Sequence, residues 1–117
     1  EGGKWVAVRL MQEEVKALQQ SWLRTKARTY AQFAQVMELR TNSSNNTVYA
    51  DARHVFYVYN ALIPRRPSSP GVDWSGVVPG DRPELVWTDY VAWDALPQVS
   101  DPASGFVMTC NSTPFAR

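Results

Sequence analysis

The sequence predicts an α+β fold, and three observations carry that prediction. Helical periodicity fills much of the first third of the chain, β-rich runs follow it, and a long proline- and glycine-rich stretch separates those runs from the C-terminal part. The expected order is strand, two helices, hairpin, long loop, strand.

Lys4–Leu10, in which Lys4 and Arg9 bracket apolar residues, reads as the first strand. Glu13 to Leu23 is built of good helix formers, and Val15, Leu18 and Trp22 recur at three- and four-residue spacing, predicting an apolar, core-facing side. Thr29 is the expected N-cap of a second helix, Tyr30–Leu39, with Tyr30, Phe33, Ala34 and Met37 on one side. Both stripes read as core, not as a cofactor-binding surface. Residues 41–46 form a polar turn, after which Thr47–Ala50 and Val55–Tyr59 read as a hairpin.

Between Pro64 and Pro83 stand Pro67, Pro70 and Pro79 with Gly71, Gly76 and Gly80, which leaves no room for a helix or a central strand. A loop of this length in a small domain is usually functional or dependent on other parts of the protein. Trp74, Trp87, Tyr90 and Trp93 are its expected anchors. Phe106–Cys110 then reads as a final buried strand leading to Asn111. The sheet looks unfinished at both ends and no helix follows Cys110. Residues 1–117 are therefore expected to be a single segment of a larger domain.

Composition narrows the function. With 44% hydrophobic residues, 5 Trp, 5 Tyr and 4 Phe, the chain is not of the disordered class. A net charge of +1 without a long basic run gives no footprint for nucleic acid or a membrane surface, and no apolar run approaches a membrane span. The single cysteine, Cys110, excludes an internal disulfide and a cysteine-rich metal site. The single histidine, His54, fits a strand turn better than a ligand role. No G-x-S-x-G elbow and no phosphate-binding glycine loop occur. Glu13 and Glu14 read as a solvated helix face, and Arg65-Arg66 as structural residues pairing with carboxylates at the hairpin exit.

The order of five short motifs is more telling than any one of them. Asn46-Thr47-Val48-Tyr49-Ala50-Asp51 is followed by Pro64-Arg65-Arg66, Trp74-Ser75-Gly76, Asp101-Pro102-Ala103-Ser104-Gly105 and Cys110-Asn111-Ser112-Thr113-Pro114. Over roughly Trp5 to Phe115 this series resembles the interior of the large (beta) subunit of the penicillin acylase family of N-terminal nucleophile hydrolases. That family's pattern is N-x-x-Y-A-D, P-x-R, W-x-G, N-P-x-S-G and an Asn-rich closing turn. Two departures are visible: Asp101 stands for the Asn of the fourth motif, and Arg53-His54 occupy a turn where the family usually has Gly-Asn.

The resemblance implies a partial αββα Ntn-hydrolase fold and an amidohydrolase that cleaves linear amides, such as β-lactam side-chain amides or N-acyl-homoserine lactones. It implies that Asn111 is the side-chain donor to the tetrahedral oxyanion, a role suited to a fixed neutral donor. It implies that Asn45 lines the acyl pocket. The family's nucleophile is the first residue of the large subunit, activated by its own amine; Glu1 is no such residue, so this chain alone is expected to be inactive. The implied partners are the remainder of the acylase precursor and a small acyl-amide substrate, with no nucleic acid and no membrane. A structural calcium is possible in the full protein, with no ligand assigned here and Asp51 and Asp73 fitting strand-end and turn roles. The implied location is periplasmic or secreted, in a bacterium.

One other class competes. Asn42-Ser43-Ser44, Asn45-Asn46-Thr47 and Asn111-Ser112-Thr113 are glycosylation sequons, and Trp74, Trp87 and Trp93 could serve a small secreted carbohydrate- or protein-binding module without catalysis. The family pattern accounts for the same asparagines, and the sequons are read as coincidental.

Overall fold

The hairpin expected from the β-rich runs is the centre of the molecule. The computed structural model describes residues 2–3, 5–42 and 44–114; Lys4 of the expected first strand, Ser43 of the polar turn and Phe115 lie outside the described residues. Strands β1 (Asn46–Ala50) and β2 (Val55–Tyr59) pair antiparallel, with Tyr49 opposite Phe56 and Val48 opposite Tyr57. A third strand, β3 (Gln98–Ser100), pairs antiparallel with the other edge of β2, giving the order β1-β2-β3. Two helices precede the sheet, α1 (Glu14–Arg24) and α2 (Tyr30–Met37). The architecture is α+β.

Alternation along β2 sorts its side chains onto two faces. Phe56 and Val58 point into the core with Leu96, and Tyr30, Phe33, Tyr49, Ile63, Val91 and Trp93 pack around them. Tyr30 meets Phe56 edge-on at a ring separation of 5.4 Å, and Phe33 meets Tyr49 at 4.7 Å. Helix α2 thus covers one face. On the other face the row Val48–Tyr57–Val99 crosses the sheet, and both valines are exposed. The radius of gyration is 17.2 Å, against about 13 Å for a compact domain of this size. An open sheet face and an extended outline fit a segment of a larger domain.

The Thr29 cap is as expected: its side chain accepts from the Gln32 amide at 3.2 Å. Helix α2 stops at Met37, short of Leu39, because Arg40 adopts a left-handed φ of 44° that ends the helical path.

Three expectations are corrected. Residues 5–10 form no strand; they are irregular and exposed, with no partner strand within the described residues. Residues 106–110 are likewise irregular, with Phe106 and Met108 exposed, since no apolar layer is present against which they could bury. The third concerns α1, whose apolar stripe faces solvent: Val15 is 82% exposed, Leu18 74% and Trp22 65%.

The buried contact of α1 is Gln20. Its amide nitrogen donates to the carbonyls of Val36 (3.1 Å) and Met37 (3.3 Å), and its oxygen accepts from the Thr41 hydroxyl at 2.9 Å. Asn60 also donates to Met37 O, at 3.1 Å. The last carbonyls of a helix have no partner within it. Val36 O and Met37 O also accept from the amides of Leu39 and Arg40 as α2 tightens at its end; Gln20 adds a further donor to each, so a polar residue turns inward and the apolar stripe turns out. With that stripe and the sheet face both uncovered, the purified 117-residue chain is expected to self-associate, and sedimentation should show concentration-dependent oligomers. Val15→Ser with Trp22→Ser should reduce that association without lowering the melting temperature.

The long loop is irregular, as expected, but its ends are pinned. Pro64 bridges Tyr90, Arg65 N donates to Asp89 O at 2.9 Å, and Val91 N donates to Ile63 O at 2.8 Å. Arg65 also pairs with the Asp89 carboxylate at 3.4 Å, whereas Arg66 lies over the rings of Trp74 and Trp87.

Candidate functional site

The site is built at the open end of the hairpin. Beyond the Asn46–Tyr59 pair the ladder continues by one more bond, Asn60 N to Asn45 O at 2.8 Å, which fixes the backbone of Asn45 at the strand entrance. From β3 the chain runs through Asp101–Gly105 and the irregular residues 106–110, then turns at Asn111. Asn111 has a φ of +63°. Asparagine adopts this left-handed conformation more readily than most residues. The Asn111 N–H donates to Thr109 Oγ1 at 3.2 Å.

The turn brings Asn111 and Asn45 to one cleft of about 280 Å³, together with Ser44, Asn46, Tyr59, Ser112 and Thr113. The two residues singled out from the sequence therefore share a site although they lie far apart in the chain. The lining is strongly polar and the cleft opens to solvent. Among the described residues, no hydrogen bond engages the Asn111 side-chain amide. Asn46, which opens the first motif but was given no site role from the sequence, links the two sides: its Nδ2 donates to Ser112 O at 3.2 Å, and its Oδ1 accepts from the Tyr57 hydroxyl at 2.7 Å.

The opposite end of the hairpin is a separate polar cluster. Asp51 Oδ1 accepts from the amides of Arg53 (2.7 Å) and His54 (2.8 Å), and Asp51 Oδ2 accepts from the Tyr49 hydroxyl at 2.6 Å. Asp51 N bonds back to His54 O at 3.0 Å. Neither Arg53 nor His54 has a positive φ, so the turn closes without the family's glycine. His54 Nδ1 meets Asp101 Oδ2 at 3.0 Å, and Asp101 Oδ1 accepts from Val55 N at 2.8 Å. The Val55 bond first, then His54, hold the Asp101 carboxyl below its ordinary range.

The Tyr49 hydroxyl, followed by the Arg53 and His54 amides, lowers the Asp51 carboxyl to about 2 from an ordinary 3.8. A depressed carboxyl pKa stabilises the fold above the ordinary value, and that contribution is lost as pH falls through the depressed one. Asp51→Asn should therefore melt below the parent at neutral pH. The gap between the two should close as pH falls from about 4 to about 2, in melting curves recorded across that window.

The other candidates are accounted for structurally. Asp73 caps its own turn, accepting from Ser75 N at 2.9 Å and Ser75 Oγ at 2.7 Å. Among the described residues no three His, Cys, Asp or Glu side chains are grouped so that they could hold a metal ion. Trp74 and Trp87 pack on each other at 6.0 Å, and Trp93 packs against the core; all three are half-buried. Among the described residues no helix is long and apolar enough to cross a membrane.

A sequence model of the family described as penicillin amidase matches residues 2–117. The chain belongs to the penicillin amidase family. Membership places the complete protein among acylase-type hydrolases. In this penicillin amidase segment the motifs that carried the resemblance are the hairpin (Asn46–Asp51), its exit (Pro64–Arg66), the Asp73-capped turn (Trp74–Gly76) and the two turns leading to the cleft (Asp101–Gly105 and Asn111–Pro114).

Proposed function

We propose that residues 1–117 are an interior segment of the large subunit of a penicillin-acylase-like enzyme with an αββα Ntn-hydrolase fold. Asn111 serves as the oxyanion donor and Asn45 as part of the acyl pocket. The observation that carries this reading is the convergence of the two asparagines on one cleft, with the Asn111 amide unengaged among the described residues and its backbone in a left-handed turn. The open sheet face and outward α1 stripe support a surrounding domain supplied by the rest of the precursor.

In this reaction the acyl group of a linear amide passes from its amine to a nucleophile, and then to water. As the carbonyl carbon becomes tetrahedral, negative charge develops on its oxygen, and a neutral N–H donor already in position stabilises that charge without a proton transfer. The described part of the cleft offers no base to activate a nucleophile. The single histidine sits at the far end of the hairpin, bonded to Asp101, about 16 Å away along a five-residue strand. The nucleophile is assigned to another segment, and the 117 residues alone are expected to be inactive. The candidate substrates are β-lactam side-chain amides, N-acyl-homoserine lactones and other acylated amines, and pocket residues from elsewhere in the protein decide among them. Structural calcium, where the protein holds it, takes its ligands from elsewhere in the protein. The proposed location is periplasmic or secreted.

The test is a panel of phenylacetyl, fatty-acyl and homoserine-lactone amides offered to the complete protein and, separately, to the 117-residue chain. Turnover by the complete protein alone is expected. Turnover by the isolated chain, or none of any linear amide by the complete protein, would remove the proposal.

A further inference from the structure

We propose that Asn46 and Tyr57 are positioning residues for the reaction: Tyr57 orients the Asn46 amide, and Asn46 holds the turn that carries Asn111. The inference rests on the oxyanion reading of Asn111 and adds the device that aims it.

The physical need comes first. A donor stabilises a transition state only if it stands where charge develops, and a displacement of about 1 Å can cost about 10²-fold in rate. Segment 106–114 has no strand pairing with the sheet among the described residues. Its position therefore depends on individual ties. One of them joins the first strand of the sheet to the residue next to Asn111: Asn46 Nδ2 donates to Ser112 O at 3.2 Å. Asn46 opens β1 and is paired with Tyr59 on the central strand, so its backbone is fixed by the ladder.

The direction of the Asn46 amide is fixed by chemistry as well. Ser112 O can only accept, so the NH2 end of Asn46 must face it, because the reversed amide would set two oxygens against each other. The reversed end then meets Tyr57, which donates to Asn46 Oδ1 at 2.7 Å. Tyr57 lies diagonally across the ladder on the same face of the sheet, within reach of a long side chain. Burial first, then the neighbouring Tyr59, raises the Tyr57 hydroxyl above its ordinary range, which keeps it a donor at any working pH. The result is a relay running from β2 through β1 to the Asn111 turn.

The experiment uses the complete acylase and a chromogenic phenylacetyl or fatty-acyl anilide, whichever the parent cleaves faster. The variants are Asn46→Asp, Tyr57→Phe, Asn111→Gly and the double variant Asn46→Asp/Asn111→Gly. Asn46→Asp keeps the acceptor for Tyr57 and removes the donor to Ser112. It should lower kcat by about tenfold to about 10²-fold and leave KM within about twofold. Its kcat relative to the parent should recover as pH falls through about 4, where the introduced carboxyl protonates and becomes a donor again. Tyr57→Phe should lower kcat less, again with KM unchanged. The double variant should be no slower than Asn111→Gly, because the relay acts only through Asn111.

Parent-level kcat in Asn46→Asp beside an impaired Asn111→Gly overturns the relay and leaves the oxyanion reading standing. Losses that multiply in the double variant also overturn it, since Asn46 would then act elsewhere. Parent-level kcat in Asn111→Gly overturns both. If Asn46→Asp does not fold or mature, Tyr57→Phe decides by the same kcat criterion.

Discussion

Asn111→Ala in the complete, correctly processed acylase is expected to lose about 10²–10³ in kcat, roughly 3–4 kcal/mol of transition-state stabilisation. KM should change far less, because the donor is aimed at charge that exists only in the transition state. Asn111→Asp should be slower still, since a carboxylate repels the oxyanion. The left-handed backbone at this position, φ +63°, adds a complication that Asn111→Gly resolves. Alanine pays roughly 1–2 kcal/mol of strain there while glycine does not. If Ala and Gly lose kcat equally while only Ala lowers the melting temperature, the loss belongs to the missing donor. Near-parent kcat in Asn111→Gly would remove the oxyanion assignment. Restored kcat in Gly beside a damaged Ala would make Asn111 a turn residue only.

Phe56→Ala should destabilise the fold by about 3–5 kcal/mol, a large part of the total stability of a domain. Phe56 is 1% exposed and lies on the central strand, where it meets Tyr30 edge-on beneath α2. The measurement is the urea midpoint, with the slope unchanged to show that the denatured state is not what moved. Trp22→Ala is the contrast. Its ring is as large, but it stands 65% exposed on α1, and in the isolated chain its loss should stay within about 0.5 kcal/mol. A loss below about 1 kcal/mol for Phe56→Ala would mean that the β2–α2 contact is not the centre of the core.

The elements legible in the sequence are those whose signal is local. Thr29 caps the helix it precedes, and the β-branched and aromatic residues of 47–59 fold back on one another within thirteen positions. β3 gave no such signal, because three residues, Gln98, Val99 and Ser100, with a single apolar one are too few to mark a strand; they pair along the free edge of β2. Residues 5–10 and 106–110 erred in the opposite direction. Their composition is that of strands, but a strand requires a partner and a layer to bury against, and composition specifies neither. In the proposed site, Asn45 and Asn111 come from the family resemblance, and the structure places both at one cleft. Asn46 opens the first motif of that pattern, but its bond to the Ser112 carbonyl is remote in sequence, and no periodicity reports such a bond. The reversal of α1 was hidden for a similar reason: nothing in Gln20 itself reveals that it meets the last carbonyls of α2 and the Thr41 hydroxyl.

That reversal also fixes how α1 is oriented. Oily contacts slide, whereas the Gln20 amide meets two specific carbonyls and a hydroxyl, each within a few tenths of an ångström. A helix held in this way has its rotation about its own axis set before its outer stripe touches anything. Val15, Leu18 and Trp22 are thereby presented in one fixed direction, and any surface that covers this stripe meets a preset template in place of a helix free to roll, with the helix's orientational entropy already lost.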